Sequence, residues 1–486
     1  MNSKEDQNKY ETELGLLPGS WKVVILENYL ESLIDYRGKT PKKSESGIVT
    51  LSARSVKMGH INYSSAYHIS KETYDKFMVR GFPKKGDVLL TTEAPLGCVV
   101  ILDRNDVCVA QRLLTLRGKH GELDNRYLQY YLTSHIGQHQ LLSRATGSTV
   151  QGIKRTEFSK VLLILPPFDE QLNIAKTLSE FDEKIRINSE INQTLEQIAQ
   201  AIFKSWFVDF EPVKAKMAVL EAGGTAEQAE LAAMSVISAT DETALKQQQA
   251  DQPEAYTELE QTAALFPSAM EDSQLGEIPE GWSTPLIQDV AKTIKGKSYK
   301  STELEESTIA LVTLKSFNRG GGYRLDGLKE YTGKYKPEQE VFAGDLIIAY
   351  TDVTQAADVI GKPAMVISDS KYDHLVISLD VAVIRPADDQ LKYYLYGIAK
   401  TVHFQNHTKA HSTGTTVLHL SKTAVPEYKF TQASDELIKI YRKLTQPIFS
   451  DINENIEQNN TLSAYRDTLL PKLLSGDLPI ASTEVA

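Results

Sequence analysis

The sequence predicts an α/β (α+β) protein with a pseudo-two-fold tandem duplication. We expect two mixed, strand-dominated globular domains, separated by two long helices that pair as an antiparallel coiled coil. Three observations predict this arrangement. The 486 residues exceed the length of one ordinary domain, which is about 100–200 residues. Sequence motifs occur twice at one constant offset, and a heptad pattern of apolar residues follows each globular half.

Internal repeats divide the chain into two copies. The segment LPGSW (17–21) recurs as IPEGW (278–282). Thr149 and Thr416 lie 267 positions apart in matching segments, and the two helical regions keep the same offset. One offset that holds from strands to helix indicates duplication of a large unit, not a solenoid of small repeats.

Each copy combines a globular part with a long helix. Short β-branched and aromatic runs between Gly, Pro and Asp turns predict strands, and residues 125–142 predict one helical piece. The long helix should follow Pro166-Pro167, where Asp169 and Glu170 favour its positive N-terminal end. The predicted globular domains are residues 14–168 and 277–430, the long helices are residues 169–210 and 431–476, and an acidic helical connector is residues 211–276.

The apolar stripe of each long helix has two polar breaks. They fall on Asn188 and Asn192 in the first helix and on Asn455 and Asn459 in the second. Asn at a core position costs stability and fixes register, so we expect antiparallel pairing with the Asn layers near the middle. The alternative is two separate surface helices, because an amphipathic stripe does not identify its partner. Pro447 should kink the second helix or begin a new one.

Charge is distributed unevenly along the chain. The formal net charge is −11, but residues 221–280 hold 13 acidic residues and one basic residue, so the remainder carries +1. Residues 36–60 hold six basic residues against one Glu. Phosphate binds to local basic patches and not to the average charge of a chain. The acidic composition therefore does not exclude a nucleic-acid partner.

The sequence has no feature typical of a secreted or membrane protein. The first ten residues are polar and contain no apolar h-region. No apolar run approaches the ~18 residues of a membrane span. Cys98 and Cys108 form neither a CxxC motif nor a disulfide framework. We expect a soluble cytoplasmic protein.

Segments that could indicate catalysis each have a simpler interpretation. The sequence contains no F-x-G-x-G cofactor loop and no G-x-x-x-x-G-K-[ST] phosphate loop. Leu165-Pro166-Pro167-Phe168 lacks the polar first residue of an amino-methyltransferase motif, which favours a strand-to-helix hinge. Asp369-Ser370-Lys371 resembles one end of a nuclease site, but the first copy lacks the lysine. Glu93 could act as an acid, yet no motif places a second carboxylate.

Three histidines have a spacing that could bind a metal ion. His403, His407 and His411 are each four residues apart, as metal ligands on a helix can be. The first copy has Arg144 at the position of His411, and Arg is not a normal metal ligand. This comparison favours a polar or phosphate-facing side of the helix. We predict no catalytic residue and no metal site in this chain.

The tandem order of variable domain and long helix, repeated once, resembles the specificity (S) subunit of type I restriction–modification enzymes. The resemblance covers nearly the whole chain. Its marks are LPGSW (17–21) and IPEGW (278–282), TGST (146–149) and TGTT (413–416), PPFDEQ (166–171), FVDFEPVKAK (207–216), the LEAGG…AAM connector (220–234), FPSAMEDSQLGEIPEGW (266–282) and TLLPKLLSGDL (468–478). The second copy departs from the first by having Pro426-Glu427-Tyr428 near the place of the LILPP segment.

The resemblance implies a division of labour among subunits. The globular regions would be target recognition domains that bind double-stranded DNA. The helices would separate these domains and dock methyltransferase (M) subunits, two per chain, and restriction (R) subunits would join through the complex. This chain would be non-catalytic and bind no cofactor, because adenine methylation and ATP-dependent DNA cleavage belong to the M and R subunits. S-adenosylmethionine, ATP and Mg are accordingly expected on those partners, and no membrane partner is expected.

Basic and small polar side chains are the candidates for DNA contact, because they suit phosphates and base edges. For a single charged residue, the alternative is a solvated rim on an ordinary domain. The Gly-Ser/Thr-Thr loops could instead be buried turns. The first copy offers Arg37, Lys39, Lys42, Lys43, Arg54, Lys57, Gln111, Arg112, Gly147, Ser148, Thr149 and Lys154. The second copy offers Lys295, Lys297, Lys300, Lys315, Arg319, Gly414, Thr415 and Thr416.

The helix length suggests how DNA would be read. About 39 residues at ~1.5 Å each span somewhat under 60 Å, whereas major-groove faces on one side of B-DNA recur every ~34–36 Å. The two domains differ in sequence, so we expect an asymmetric, bipartite target with a fixed gap. Two rival hypotheses stay open: a self-contained DNA methyltransferase or nuclease, and a scaffold that bridges partners without binding DNA.

Overall fold

A computed structural model describes residues 9–36, 38–147, 150–354 and 356–479. The chain forms two compact units. Unit 1 comprises residues up to Ile185 together with those from Asn460 onward, and unit 2 comprises Arg186–Asn459. Each long helix contributes residues to both units. Within the described ranges, every helix is too short or too polar to cross a membrane.

Unit 1 is built around an antiparallel sheet of four strands. Their order is Leu96–Ile101, Val88–Thr92, Leu113–Gly118 and Leu30–Asp35. Val88–Thr92 is buried at every position, as an inner strand covered on both faces should be. A second sheet has the order Val107–Val109, Ile48–Leu51 and Tyr67–Ile69. Two-stranded pairs are Lys9–Thr12 with Gly15–Pro18, Lys22–Ile25 with Leu162–Leu165, Val56–Lys57 with His60–Ile61, and Ala145–Thr146 with Gly152–Ile153.

The shorter helices of unit 1 are Lys71–Phe77, Asn125–Thr133, His135–Leu142 and Arg155–Phe158. Asn125–Thr133 and His135–Leu142 pack against the four-stranded sheet. The prediction of one helical piece over residues 125–142 was wrong, because two helices meet at Ser134. The Ser134 side chain accepts a hydrogen bond from Gly137 N at 3.1 Å and so caps the second helix.

The entry motif of unit 1 is tied to the start of the first long helix, Phe168–Phe207. Trp21 is 3% exposed, and its Nε1 donates to Glu170 Oε2 at 2.8 Å. Gln171 is fully buried, accepts from Asp124 N at 2.9 Å and donates to Pro166 O at 2.9 Å. These bonds satisfy polar groups at a buried chain reversal, which explains why Trp and Gln occur there.

Unit 2 repeats the two-sheet plan. One sheet has the order Ala291–Lys295, Val381–Pro386, Leu346–Ala349 and Pro363–Met365. The other has the order Lys329–Glu330, Ile309–Val312, His374–Ile377 and Glu340–Val341. Thr351–Asp352, Leu418–Leu420 and Ser412–Thr413 form a three-stranded sheet, and Met270–Ser273 pairs with Gly276–Pro279.

A Gly-Asp turn precedes an inner strand in each unit, and its hydrogen bonds explain the repeat. In unit 1, Arg117 Nε donates to Asp87 Oδ1 at 2.7 Å, and Asp87 is 1% exposed. In unit 2, Arg385 Nη2 donates to Asp345 Oδ2 at 3.3 Å. Each Asp also accepts from a backbone N–H three residues earlier. The carboxylate thus closes the turn and pairs with an Arg on the neighbouring strand.

The acidic connector is helical. Lys216, at 2% exposure, donates through Nζ to Glu230 Oε1 and to Phe266 O, both at 2.7 Å. These contacts satisfy a buried ammonium group and tie the first helix of the connector to its end. Its helices are Glu211–Glu221, Ala226–Ser238, Glu242–Asp251 and Pro253–Ala264. Further helices of unit 2 are Ile287–Val290, Lys392–Lys400 and Val402–Ala410.

The two long helices pair antiparallel, as predicted. Within unit 2, Asn188 Nδ2 donates to Asn459 Oδ1 and Asn455 Nδ2 donates to Asn192 Oδ1, both at 2.9 Å. As the chain advances along the first helix, its partners lie progressively earlier in the second helix, which is antiparallel pairing. Within unit 1, Arg466 Nη1 donates to Asp182 Oδ1 at 2.6 Å. The separate surface helices considered from sequence do not occur.

The second long helix is continuous from Asp435 to Leu474. The alternative that a new helix begins at Pro447 was therefore wrong. Proline deprives the Lys443 carbonyl of its helical donor, but both residues are exposed and water can take that bond. Packing of the helix on its partner outweighs the local preference.

Glu196 fastens the first long helix to the globular part of unit 2. It accepts from Lys400 Nζ at 2.8 Å, from Tyr396 OH at 2.6 Å and from Gln200 Nε2 at 2.9 Å. Burial alone would raise the pKa of Glu196, but the ion pair and these hydrogen bonds lower it below its ordinary value. The Glu196 carboxylate is therefore ionised in the folded protein at neutral pH.

Candidate nucleic-acid interface

A cleft of about 310 Å³ in unit 1 brings together three of the residues predicted from sequence. Gln111, Arg112 and Lys154 come from segments that are far apart in the chain, yet all three line it. Its other lining residues are Gly38, Thr92, Glu93, Thr146, Gly152 and Ile153. The cleft therefore combines basic, amide and hydroxyl groups, which are the groups that contact nucleic acid.

An ion pair forms one wall of this cleft. Arg112 Nε lies 2.5 Å from Glu93 Oε1, and the two side chains are 44% and 39% exposed. Glu93 was missed as a binding residue, because its partner lies in the turn before another strand and no sequence motif joins them. Only the pairing of Val88–Thr92 with Leu113–Gly118 brings the two ends together.

The Gly-Thr-Thr loop of unit 2 is an exposed hairpin tip and not a buried turn, and in unit 1 Gly147 is exposed directly after the strand Ala145–Thr146. Gly147 has φ +112°, and a Cβ there would lie 2.2 Å from Val150 O. Gly414 has φ +132°, and a Cβ there would lie 2.0 Å from Val417 O. Glycine is therefore required at both tips. Thr415 and Thr416 are exposed beside Gly414, whereas Ser148 and Thr149 lie outside the described residues.

The other basic candidates of the first copy lie on the surface but do not line the cleft. Lys39 follows Gly38 at its edge, and Lys42 and Lys43 are exposed. Lys43 Nζ lies 4.9 Å from the centre of the Tyr67 ring. Arg54 is exposed on the turn before the strand Val56–Lys57. Lys57 is half-buried within that strand. Arg37 lies outside the described residues.

Unit 2 has its own basic cluster. Lys295 Nζ lies 4.3 Å from the centre of the Tyr350 ring. Burial lowers the pKa of Lys295, and the positive charge of nearby Lys422 lowers it further. Tyr350 was missed, because strand pairing alone brings it to Lys295, and Lys422, which lies in a turn, was missed as well. Lys295 is therefore a partly desolvated cation that contacts an aromatic ring and has the positive charge of Lys422 nearby.

The remaining candidates of unit 2 are dispersed around its second sheet. Lys297 is half-buried and its backbone joins Ile377 and Leu379 by hydrogen bonds. Lys300 precedes a 3-10 turn, and Lys315 lies in another. Arg319 is exposed beside a glycine triplet.

The Glu93–Arg112 pair has a structural counterpart in unit 2 with different side chains. Thr92 N donates to Arg112 O at 2.9 Å, and Tyr350 N donates to Asp380 O at 2.7 Å. Arg112 and Asp380 thus occupy equivalent places. Thr351 takes the place of Glu93 and donates through Oγ1 to Asp380 Oδ1 at 2.9 Å. One copy presents a guanidinium where the other presents a carboxylate.

The histidine row does not form a metal site. His407 Nε2 lies 2.8 Å from Ala424 O, and its ring stacks on His411 at 4.1 Å between ring centres. Burial lowers the pKa of His407, although the hydrogen bond to Ala424 O opposes this. Among the residues that the structure describes, no group of three His, Cys, Asp or Glu side chains could hold a metal ion.

Comparison with known proteins gives a consistent result. The sequence model described as "Type I restriction modification DNA specificity domain" matches residues 18–197. The chain is 29% identical over 410 residues to the type I restriction enzyme HindI specificity subunit of Haemophilus influenzae, covering 81% of this chain and 87% of that protein. It is 24% identical over 490 residues to the MjaIX specificity subunit of Methanocaldococcus jannaschii, covering 97% and 96%.

A solved structure of a type I restriction–modification S subunit from M. genitalium is also similar. Its sequence identity is 16% and its TM-score is 0.49, with 94% of this chain and 97% of that chain covered.

The two units have repeated sequence motifs and related sheets, and they carry different side chains at equivalent places. Residues 18–197 match the family model for the type I restriction modification DNA specificity domain, and most of the chain is similar to specificity subunits of type I restriction enzymes.

Proposed function

We propose that this chain is the double-stranded DNA-binding subunit of its complex, and that each unit reads one half of an asymmetric, bipartite site. The observation that carries the proposal is the exchange of Glu93 and Arg112 for Thr351 and Asp380 at equivalent places. Base edges differ in their donors and acceptors, so these side chains would select different bases. Exposed lysines such as Lys42 would hold phosphates, which positions the protein without reading sequence.

The long helices would set the gap between the two half-sites. Two layers of hydrogen-bonded Asn, Asn188 with Asn459 and Asn192 with Asn455, support this role. An antiparallel pair slipped by one heptad in either direction would place Asn192, Asn455 and Asn459 against apolar side chains, where their hydrogen bonds are lost. The layers would therefore hold one register, and one register gives one gap.

The same helices would dock two M subunits. Ile187, Ile191 and Ile198 are 38%, 42% and 45% exposed on the first long helix. Spacings of four and seven residues place them along one side of the helix. An M subunit that covers this stripe would remove apolar surface from water. Replacing Ile191 with Asp should then prevent copurification with M, whereas replacing the exposed Gln193, which lies on another side of the same helix, with Asp should not.

Catalysis would belong to the partners. M subunits would bind S-adenosylmethionine and methylate adenine, and R subunits would use ATP and Mg for DNA cleavage. The chain by itself would bind duplex DNA without methylating it. Methyl transfer by the isolated chain at the level of the complex would contradict this assignment and favour a self-contained methyltransferase.

The decisive experiment inserts one heptad into each long helix. Seven residues add about 10 Å, or about three base pairs of B-DNA. Mapping of methylated adenines should show an unchanged pair of half-sites with a longer gap. A matched control inserts seven residues at the exposed connector turn around Gly223, where the gap should not change.

Other outcomes would contradict the proposal. If the half-sites change or the gap stays constant, the helices do not set the gap. Fluorescence anisotropy with duplex DNA, with and without the M subunit, tests DNA binding itself. Complexes that bind no duplex would favour the scaffold hypothesis.

A further inference from the structure

The Glu93–Arg112 pair has features that an ordinary surface ion pair does not need. Arg112 has φ +68° and Ala94, next to Glu93, has φ +52°. Non-glycine residues rarely adopt this left-handed conformation, which costs free energy and is concentrated at functional sites. The strain places both side chains at the wall of the unit 1 cleft.

Backbone contacts hold the Glu93–Arg112 pair in position. Thr92 N donates to Arg112 O at 2.9 Å, which holds the strained residue against the neighbouring strand. Glu93 forms a β-bridge with Gly152, and a Cβ on Gly152 would lie 3.0 Å from Glu93 Cβ. A larger residue there would therefore push Glu93 away from Arg112. The position of the pair is built by three segments of chain.

The chemistry of the pair matches a base-pair edge better than a phosphate. A guanidinium donates two parallel hydrogen bonds to guanine O6 and N7, and a carboxylate accepts from cytosine N4. In the major groove a G·C pair presents two acceptors followed by one donor. Glu93 also repels phosphate oxygens, so a phosphate would prefer the isolated lysines nearby.

We propose that Arg112 and Glu93 read one G·C base pair in the half-site of unit 1, with Arg112 on guanine and Glu93 on cytosine. This inference rests on the proposed function, and it adds which residues select which base pair. Glu93 has a second task, because it orients the guanidinium through Nε so that the terminal nitrogens face the base.

The equivalent place in unit 2 supports this assignment. Thr351 and Asp380 keep a hydrogen bond between the two side chains but provide no guanidinium. Asp380 is an acceptor and would take an amino group of cytosine or adenine. The unit 2 position should therefore show no preference for guanine on the strand that Arg112 would read.

The test uses the complex of this chain with its M subunits and a library of duplexes randomised over the target. Arg112→Gly removes the guanidinium and relieves the left-handed backbone, so the fold should keep its thermal stability. Glu93→Gln keeps the shape of the side chain and removes its charge. The control variant is Lys71→Ala, which breaks the exposed ion pair with Asp75 elsewhere in unit 1.

Both site variants should lose discrimination at a single G·C position of one half-site. The expected loss for Arg112→Gly is about 5- to 150-fold, corresponding to roughly 1–3 kcal/mol for one bidentate base contact. The other half-site, the gap and the salt dependence should stay as in the wild type. The control should select the wild-type sequence.

Each contrary result has a distinct meaning. A uniform loss of affinity for all sequences with a smaller salt slope would show that Arg112 is a phosphate anchor and overturn the inference. An unchanged sequence preference, or a loss of thermal stability alone, would show that the pair is structural and also overturn it. Failure of the wild-type complex to select any sequence would overturn the proposed function itself.

Discussion

Replacing Asn188 with Leu should stabilise the chain. Asn188 is fully buried, and its Nδ2 donates to Asn459 at 2.9 Å and to Gln458 at 2.6 Å. Its Oδ1 has no hydrogen-bond partner among the described residues. The native layer therefore holds one unsatisfied buried acceptor, which costs about 1–3 kcal/mol.

The magnitude follows from two stabilising and two destabilising contributions. Burying Leu stabilises by about 1.5–3 kcal/mol, and removing the unsatisfied acceptor contributes a further ~1–3 kcal/mol. Losing the two hydrogen bonds costs about 1–3 kcal/mol in total, and the larger side chain can cost ~1–3 kcal/mol in packing strain. We expect a net increase of about 1–2 kcal/mol in the free energy of unfolding.

The assay is urea unfolding followed by helical circular dichroism, with the midpoint compared at equal slope. Asn192→Leu is the matched control, because Asn192 Oδ1 accepts from Asn455, its Nδ2 donates to Ile452 O at 3.3 Å, and the residue is partly exposed. This control should be neutral or destabilising. If Asn188→Leu destabilises as much as the control, the account of the layer is wrong.

Three further predictions concern surface charge, pH and the hairpin tip. Replacing Lys42 and Lys43 with Ala should weaken binding to all duplexes. The slope of log affinity against log salt concentration in anisotropy titrations should fall by about two, because each phosphate contact contributes ~0.9. A changed recognition sequence with an intact slope would contradict this. Glu196→Gln should lower the thermal unfolding midpoint at neutral pH. The lowered folded-state pKa of Glu196 gives a stabilisation that is fully present above 4.5 and is lost as pH falls through the folded-state pKa, so the midpoints of wild type and variant should converge in acid and not in base. Gly147→Ala should impair DNA binding and stability more than Gly121→Ala. Both glycines have positive φ, but a Cβ at Gly147 would collide with Val150 O, whereas a Cβ at Gly121 meets open space. Equal effects of the two substitutions in both assays would show that the collision is unimportant.

The repeat and the coiled coil could be predicted because they are periodic or local properties of the chain. A constant offset needs no knowledge of tertiary contacts, and a heptad stripe repeats every two turns of the helix. The coincidence of Asn188 and Asn192 with Asn455 and Asn459 predicted an antiparallel pair, and the hydrogen bonds between them agree. Local composition also predicted an acidic helical connector.

Predictions failed where a short-range signal competed with a neighbouring contact. The helical pattern over residues 125–142 does not show the cap at Ser134, which divides it into two helices. Pro447 is a strong helix breaker by itself, but one long packed face keeps the second helix continuous. In both cases the helix boundary depends on a capping hydrogen bond or on packing against a partner. The periodicity of apolar residues does not describe these contacts.

The sequence by itself therefore determined the duplication, the paired long helices, their Asn layers and the resemblance to type I specificity subunits. Only the tertiary structure decided which side chains meet at the candidate interface. Arg112 and Glu93 meet because two strands pair and because one residue adopts a left-handed backbone conformation. Tyr350 and Lys295 meet for the same kind of reason. Strand register and backbone angles are set by the whole core, so no local motif reveals them.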